Sequence, residues 1–264
     1  MPDRPAPDPR APDPHPPDPR PVDVRRAADR FRTRTERIDS RHGFSFGSHY
    51  DPADTHFGLL LAHNEELVAA GGGYDMHPHR DLEILTWVLD GELGHADSTG
   101  HRGTVRPGVA QRMTAGSGIR HAERNAGGGE LHFVQMWVLP DESGLEPGYA
   151  QLDVGAELDR GGLVVVASGL ARHAGEGAVP IRQRDAAMHV ARLEPAAGVR
   201  LPSAPLVHVF VARGSVEIED VGALRRGDTA RFTGSDGRRV TAGPEGTEVL
   251  VWEMHASLSQ SMLP

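Results

Sequence analysis

From residue 44 onward, apolar residues come in short runs broken by Gly, Pro, Asn and Asp, with no repeating helical period. Residues 57–62 read as a strand, Asn64-Glu65-Glu66 as a turn, and Gly71-Gly72-Gly73 as a close turn or bulge. Residues 82–89 have the pattern of a buried strand, and Asp90-Gly91 behind them is a hairpin signal. Segments 94–98, 103–105 and 111–114 continue the meander, and 131–139 is a further long strand closed by Pro140. A polar connection punctuated by Gly and Pro follows over 141–160. Strand texture then resumes at 163–168 and recurs at 188–193, 207–211, 216–218, 229–232 and 248–254. Such a series predicts an all-β chain of antiparallel sandwiches or barrels.

The second series echoes the first. Arg213-Gly214-Ser215-Val216-Glu217-Ile218 repeats the hairpin pattern of Leu89-Asp90-Gly91-Glu92-Leu93, and Arg226-Gly227-Asp228-Thr229-Ala230 repeats Arg106-Pro107-Gly108-Val109-Ala110. Both echoes are separated by about 120 residues, the mark of a duplicated unit. The expected organisation is therefore a Pro-rich tail over 1–22, a first β domain over 23–150 and a second over 151–264. The tail holds ten of the 21 prolines and is expected to be disordered and PPII-like. Over 22–36 the spacing of Val24, Ala27, Ala28 and Phe31 predicts a short helix.

Composition narrows the function classes. The chain of 264 residues contains no cysteine, which excludes thiolate metal sites and disulfides and favours a reducing compartment. No apolar run approaches the roughly 18 residues needed to span a bilayer, and a cytoplasmic monomer is expected. A formal charge of −9 argues against general nucleic-acid affinity. Arg25, Arg26, Arg30, Arg32, Arg34, Arg37 and Arg41 form a local basic run, interrupted by acidic residues and expected to be solvated.

The candidate chemistry lies in 71–125. His77-Pro78-His79 and His121-Ala122-Glu123 each place two coordinating side chains two positions apart, on one face of a strand. Two such strands could offer three imidazoles and a carboxylate to one ion, a set suited to iron, copper, nickel, manganese or zinc. Glu83 shares parity with His79 and is expected to be an outer carboxylate orienting an imidazole. His42, His49, His95, His101, His132, His189 and His208 read as structural or surface residues, and Met113, Phe133 and Trp137 as core or cavity lining. The second unit has neither His-x-His nor His-x-Glu, so its expected role is to bury one face of the first and close its open end.

The two blocks resemble the paired motifs of the cupin superfamily, small β-barrels that hold a metal. In the common cupin pattern the first-block Glu lies one position further on, and Pro-x-Gly stands where this chain has Thr114-Ala115-Gly116. The departures resemble one branch, the pirin family. Asp39-Ser40-Arg41-His42-Gly43-Phe44-Ser45-Phe46-Gly47 with Tyr50-Asp51-Pro52, His77-Pro78-His79-Arg80-Asp81-Leu82-Glu83-Ile84-Leu85-Thr86, Asp97-Ser98-x-Gly100, Gln111-x-Met113-x-Ala115-Gly116-x-Gly118-Ile119-x-His121 and Gln135-Met136-Trp137 carry that likeness. Ala122 stands where the family usually has Ser.

The resemblance implies a bicupin of two antiparallel, jelly-roll-like β-barrels, with His77, His79, His121 and Glu123 as ligands to one divalent metal. Iron is the first expectation; copper, nickel, manganese, cobalt and zinc are the others. It further implies a quercetin 2,3-dioxygenase, opening a flavonol with dioxygen and releasing carbon monoxide, with Glu123 as ligand and general base. The same resemblance allows a metal-bearing regulatory module that binds a protein partner. Four ligands leave open positions on a five- or six-coordinate ion, but could also saturate a tetrahedral structural zinc.

Overall fold

The structure, a computed structural model, describes residues 22–258, so residues 1–21 of the Pro-rich segment lie outside the described residues. In the first half the strands are β1 (Val22–Arg25), β2 (Phe31–Arg34), β3 (Ile38–His42), β4 (Leu60–Val68), β5 (Gly73–His79), β6 (Glu83–Asp90), β7 (Leu93–Asp97), β8 (Arg102–Val105), β9 (Val109–Thr114), β10 (Ile119–Asn125), β11 (Leu131–Val138) and β12 (Gly148–Asp153). The second half contains β13 (Leu163–Ser168), β14 (Val179–Pro180), β15 (Ala186–Leu193), β16 (Gly198–Arg200), β17 (Ser203–Ile218), β18 (Gly222–Arg225), β19 (Thr229–Asp236) and β20 (Arg239–Met254). The all-β bicupin expectation holds. The barrels are not closed, however: the first unit is a seven-stranded sheet, β12-β9-β6-β11-β4-β3-β2, facing a four-stranded sheet, β5-β10-β7-β8. In the second unit β19-β17-β20-β15-β13-β14 form one sheet, to which β1 adds at the β19 edge.

Several local expectations are corrected. The helix expected over 22–36 is β1, a short 3₁₀ turn at Ala27–Asp29, and β2, because both flanking segments find strand partners. Asn64-Glu65-Glu66 is not a turn but the middle of β4, where each polar side chain has a partner that makes its burial tolerable. Asp90-Gly91 does not close a hairpin; it carries the chain from β6 in one sheet to β7 in the other. Its echo at Gly214 is likewise no hairpin but a bulge in β17, where a Cβ would lie 2.1 Å from the Gly246 carbonyl oxygen. The 141–160 connection contains β12, which pairs with β9.

The two units share an apolar core. Alternation along β6 and β11 sends Leu85, Trp87, Val134 and Met136 towards Met188, Phe210, Leu250 and Trp252 of the second unit. Large side chains buried this way contribute about 1.5–3 kcal/mol each. Arg30 belongs to this junction rather than to a solvated run: its buried guanidinium is 2.7 Å from Glu65 and lies over the Phe210 ring. No helix among the described residues is long and apolar enough to cross a membrane.

Candidate metal centre

Strand β5 enters the site from the glycine run. Gly73 has a φ of +144°, and a Cβ on it would lie 2.2 Å from the Glu123 carbonyl oxygen, so glycine is what allows β5 to approach β10 here. The antiparallel register then sets His77 opposite His121 and His79 opposite Ile119. A register shift between His121 and Glu123 brings Tyr74 opposite Glu123. On the other flank of β10, β7 places Asp97 opposite His121 and His95 opposite Glu123. Positions 119, 121 and 123 are buried while 120 and 124 are exposed, as strand alternation requires.

The imidazoles converge. Ring centroids of His77 and His121 are 4.4 Å apart, and His79 lies 4.9 Å from His77 and 5.0 Å from His121. Ligand atoms of His77, His79 and His121 all fall within 4.8 Å of one another. Glu123 is not in that triad but forms a second one, at the same spacing, with His95 and His121. The four expected side chains are thus gathered as two triads that share His121. His95, expected to be structural or surface, is a buried member of the centre; its Nε2 is 3.2 Å from Asp97 and its Nδ1 is 3.3 Å from the Gln111 amide nitrogen.

The donor chemistry fits a divalent cation. His79 Nε2 and both ring nitrogens of His121 are buried with no hydrogen-bond partner among the described residues. Leaving such atoms unsatisfied costs roughly 1–3 kcal/mol each, a penalty that coordination removes. His77 Nδ1 donates to the Asp75 carbonyl oxygen at 2.7 Å, which in the neutral ring leaves Nε2 free to coordinate. Burial pushes His121 down to about 2 and His79 down to about 4, so both rings are neutral near pH 7, as ligation requires.

Glu123 is held differently. Burial pushes its carboxyl up to about 7, against the opposing effect of Gln135, whose Nε2 is 2.9 Å from both carboxylate oxygens. Gln135 Oε1 in turn accepts from Trp137 Nε1 at 3.1 Å. Beside the imidazoles lies a cavity of about 180 Å³ with Phe46, Phe133 and Trp137 as apolar walls and Asn64, Glu66 and Tyr74 as polar ones. Phe133 and Trp137 therefore line the cavity, while Met113 packs in a small cluster with Ile84 and Ile119.

Glu83 does not orient an imidazole. It begins β6 in the opposite sheet and faces the second unit, accepting from the Arg182 backbone N–H at 3.0 Å with Arg112 nearby. Gln135 and the Asp75 carbonyl hold the centre instead. Strand alternation beyond the ligand motifs was the available signal for Gln135, because it shares parity with Phe133 and Trp137.

Residues 23–138 match the family described as Pirin, and residues 151–254 match the Quercetinase C-terminal cupin domain. A Mycobacterium tuberculosis protein named "Putative quercetin 2,3-dioxygenase" is 51% identical over 239 residues, spanning 90% of this chain and 97% of that protein. The chain belongs to the pirin family. Among solved structures, this pirin-family chain superposes on a bacterial pirin from Escherichia coli in complex with nickel(II), with a TM-score of 0.80 and 30% identity over 89% of this chain and 99% of the other. An E. coli quercetin 2,3-dioxygenase is 43% identical over 129 residues, 48% of this chain and 56% of that protein.

Proposed function

We propose that this pirin-family chain is a metal-dependent dioxygenase that opens quercetin or a related flavonol with dioxygen, releasing carbon monoxide. His77, His79, His121 and Glu123 hold one divalent ion, and Glu123 also takes the substrate proton. The observation that carries the reading is the set of unsatisfied, buried imidazole nitrogens beside an aromatic-walled cavity. It is supported by relatives named as quercetin 2,3-dioxygenases and by the nickel(II) complex of the E. coli pirin.

When bound, the ion supplies Lewis-acid stabilisation of the flavonolate. The chain supplies the rest. Glu123 accepts the proton of the flavonol 3-hydroxyl, and Gln135 fixes the orientation of the accepting carboxylate. Phe46, Phe133 and Trp137 wall one ring of the flavonol and exclude water from it. Overall one flavonol and one dioxygen become one ring-opened ester and one carbon monoxide, so no external reductant enters.

The test loads metal-free protein with iron, nickel or copper, measures ions per chain, and follows quercetin absorbance together with headspace carbon monoxide. Stoichiometric metal with quercetin loss and carbon monoxide release is expected. Full occupancy without quercetin loss for every ion would overturn the proposal.

A further inference from the structure

The cavity contains a second carboxylate that neither ligation nor proton transfer uses. Glu66 is only 4% exposed, stands on β4 opposite Phe133 of β11, and lines the same space as His77, His79 and Glu123. Its two oxygens are unequal. Oε2 accepts from Ser40 and, at 2.7 Å, from the Tyr74 hydroxyl, whereas no hydrogen bond among the described residues reaches Oε1. Next along the same face, Asn64 also lines the cavity; its Oδ1 is taken by His42 Nδ1 at 3.0 Å, and no hydrogen bond among the described residues occupies its amide nitrogen. Tyr74 lies between Glu66 and the imidazoles, its hydroxyl on Glu66 and its ring 6.2 Å from that of His77.

An uncommitted carboxylate oxygen beside an uncommitted amide N–H complements a group that both donates and accepts. A phenolic hydroxyl is such a group, and the surrounding walls suit its ring. The cavity volume, about 180 Å³, is below the 300–1,000 Å³ of sites that enclose a whole drug-sized ligand, so it accommodates one hydroxylated ring rather than a full polycyclic molecule.

We infer that Glu66, with Asn64, is the specificity-determining pair for a ring hydroxyl of the substrate, selecting polyhydroxylated aromatics over those with a single oxygen for the ion. The inference rests on the flavonol reading above and extends it from reaction to substrate class. Glu66 acts on a ring hydroxyl of the substrate from β4, within the cavity that it shares with His77, His79 and Glu123.

Glu66→Gln separates this role from a structural one. The glutamine carbonyl oxygen can still accept from Ser40 and Tyr74, while the cavity-facing acceptor becomes an amide donor. Binding is measured in nickel-loaded protein under argon at alkaline pH, through quenching of Trp137, which lines the cavity while Trp87 and Trp252 are buried in the shared core. Quercetin is compared with 3-hydroxyflavone, which lacks the further hydroxyls, and metal content and thermal midpoint are recorded for each protein. The wild type is expected to prefer quercetin by roughly 10- to 100-fold, the worth of one hydrogen bond to a charged group. E66Q should lose that preference with metal content unchanged, and Glu66→Asp should restore part of it. Equal discrimination by wild type and E66Q overturns the role of Glu66 alone. Failure of the loaded wild type to bind either flavonol overturns the flavonol reading and this inference with it. A variant that loses metal along with discrimination also counts against it, because Glu66 would then be supporting the centre rather than reading the substrate.

Discussion

Gln135 Nε2 lies 2.9 Å from each carboxylate oxygen of Glu123, a symmetric donation from β11 across the cavity to β10. Glu123 has no other hydrogen bond among the described residues, so this amide alone sets how the carboxylate faces the imidazoles. Replacing Gln135 with Leu keeps the approximate volume and removes the donor. A buried carboxylate left without it loses on the order of 1.5–3 kcal/mol. Turnover of quercetin by Gln135→Leu is expected to fall at least about tenfold, mainly in kcat, while the three imidazoles keep most of the metal. Unchanged kcat would show that Glu123 needs no orienting partner.

The two overlapping triads predict different outcomes for their members. His121 belongs to both, and its two ring nitrogens have no other partner among the described residues, so His121→Ala should lower bound metal sharply, as should His77→Ala. Glu123→Gln should retain metal yet lose turnover, because an amide coordinates weakly and cannot accept the substrate proton. Elemental analysis beside quercetin consumption separates the cases. Stoichiometric metal in H121A, or normal turnover in E123Q, contradicts the assignment.

Much of the centre was legible because its motifs are local. His77 and His79, like His121 and Glu123, sit two apart, and strand alternation alone gives them one face. His95 was not legible: it is a single His whose place depends on β7 pairing with β10. Glu83 escapes the parity argument because parity from His79 carries only along one continuous strand, and Asp81, with a φ of +49°, interrupts the strand between β5 and β6. Asn64-Glu65-Glu66 resembled a turn because three polar residues in a row normally seek water. Their partners, His42, Arg30, His132, Ser40 and Tyr74, come from distant segments that local sequence does not reveal. Likewise Gly91 and Gly214 both read as hairpin turns, but the first carries the chain between sheets and the second is a bulge within β17, outcomes that tertiary pairing decides.

Glu65 gives the fold an acid limit. Burial would raise its carboxyl, but the His132 ring at 2.9 Å and the Arg30 guanidinium at 2.7 Å outweigh burial and hold it at about 2. A carboxyl that is depressed in the folded state and near 4.5 in the unfolded one contributes stability that is complete above about 4.5 and lost as pH falls towards 2. The linked contribution is on the order of 3 kcal/mol. Glu253, held at about 2 by His189, His255 and Arg172 against its own burial, adds to the same window. Denaturant melts between pH 5 and pH 2 should therefore steepen for the wild type and flatten for Glu65→Gln. That variant should also be weaker at neutral pH, where Arg30 is left buried without its counter-charge. Identical pH slopes would remove Glu65 from this role.

The shared core predicts that the first unit depends on the second. Trp87 is 1% exposed, packs into the core common to both, and donates from Nε1 to Glu248 Oε1 of β20 at 2.7 Å. Trp87→Ala removes the ring and the donor together, and a loss of about 3–5 kcal/mol is expected from the lost burial and the cavity it leaves. Because Trp87 points away from the imidazoles, protein that remains folded should still bind metal at wild-type stoichiometry. A chain cut to residues 22–150 would expose Leu85, Trp87, Val134 and Met136 and strip β1 of its partner β19, so it should bind a hydrophobic dye and aggregate. If the cut chain instead stayed monomeric with full metal and full quercetin turnover, the second unit would be dispensable and the junction would have no part in holding the site.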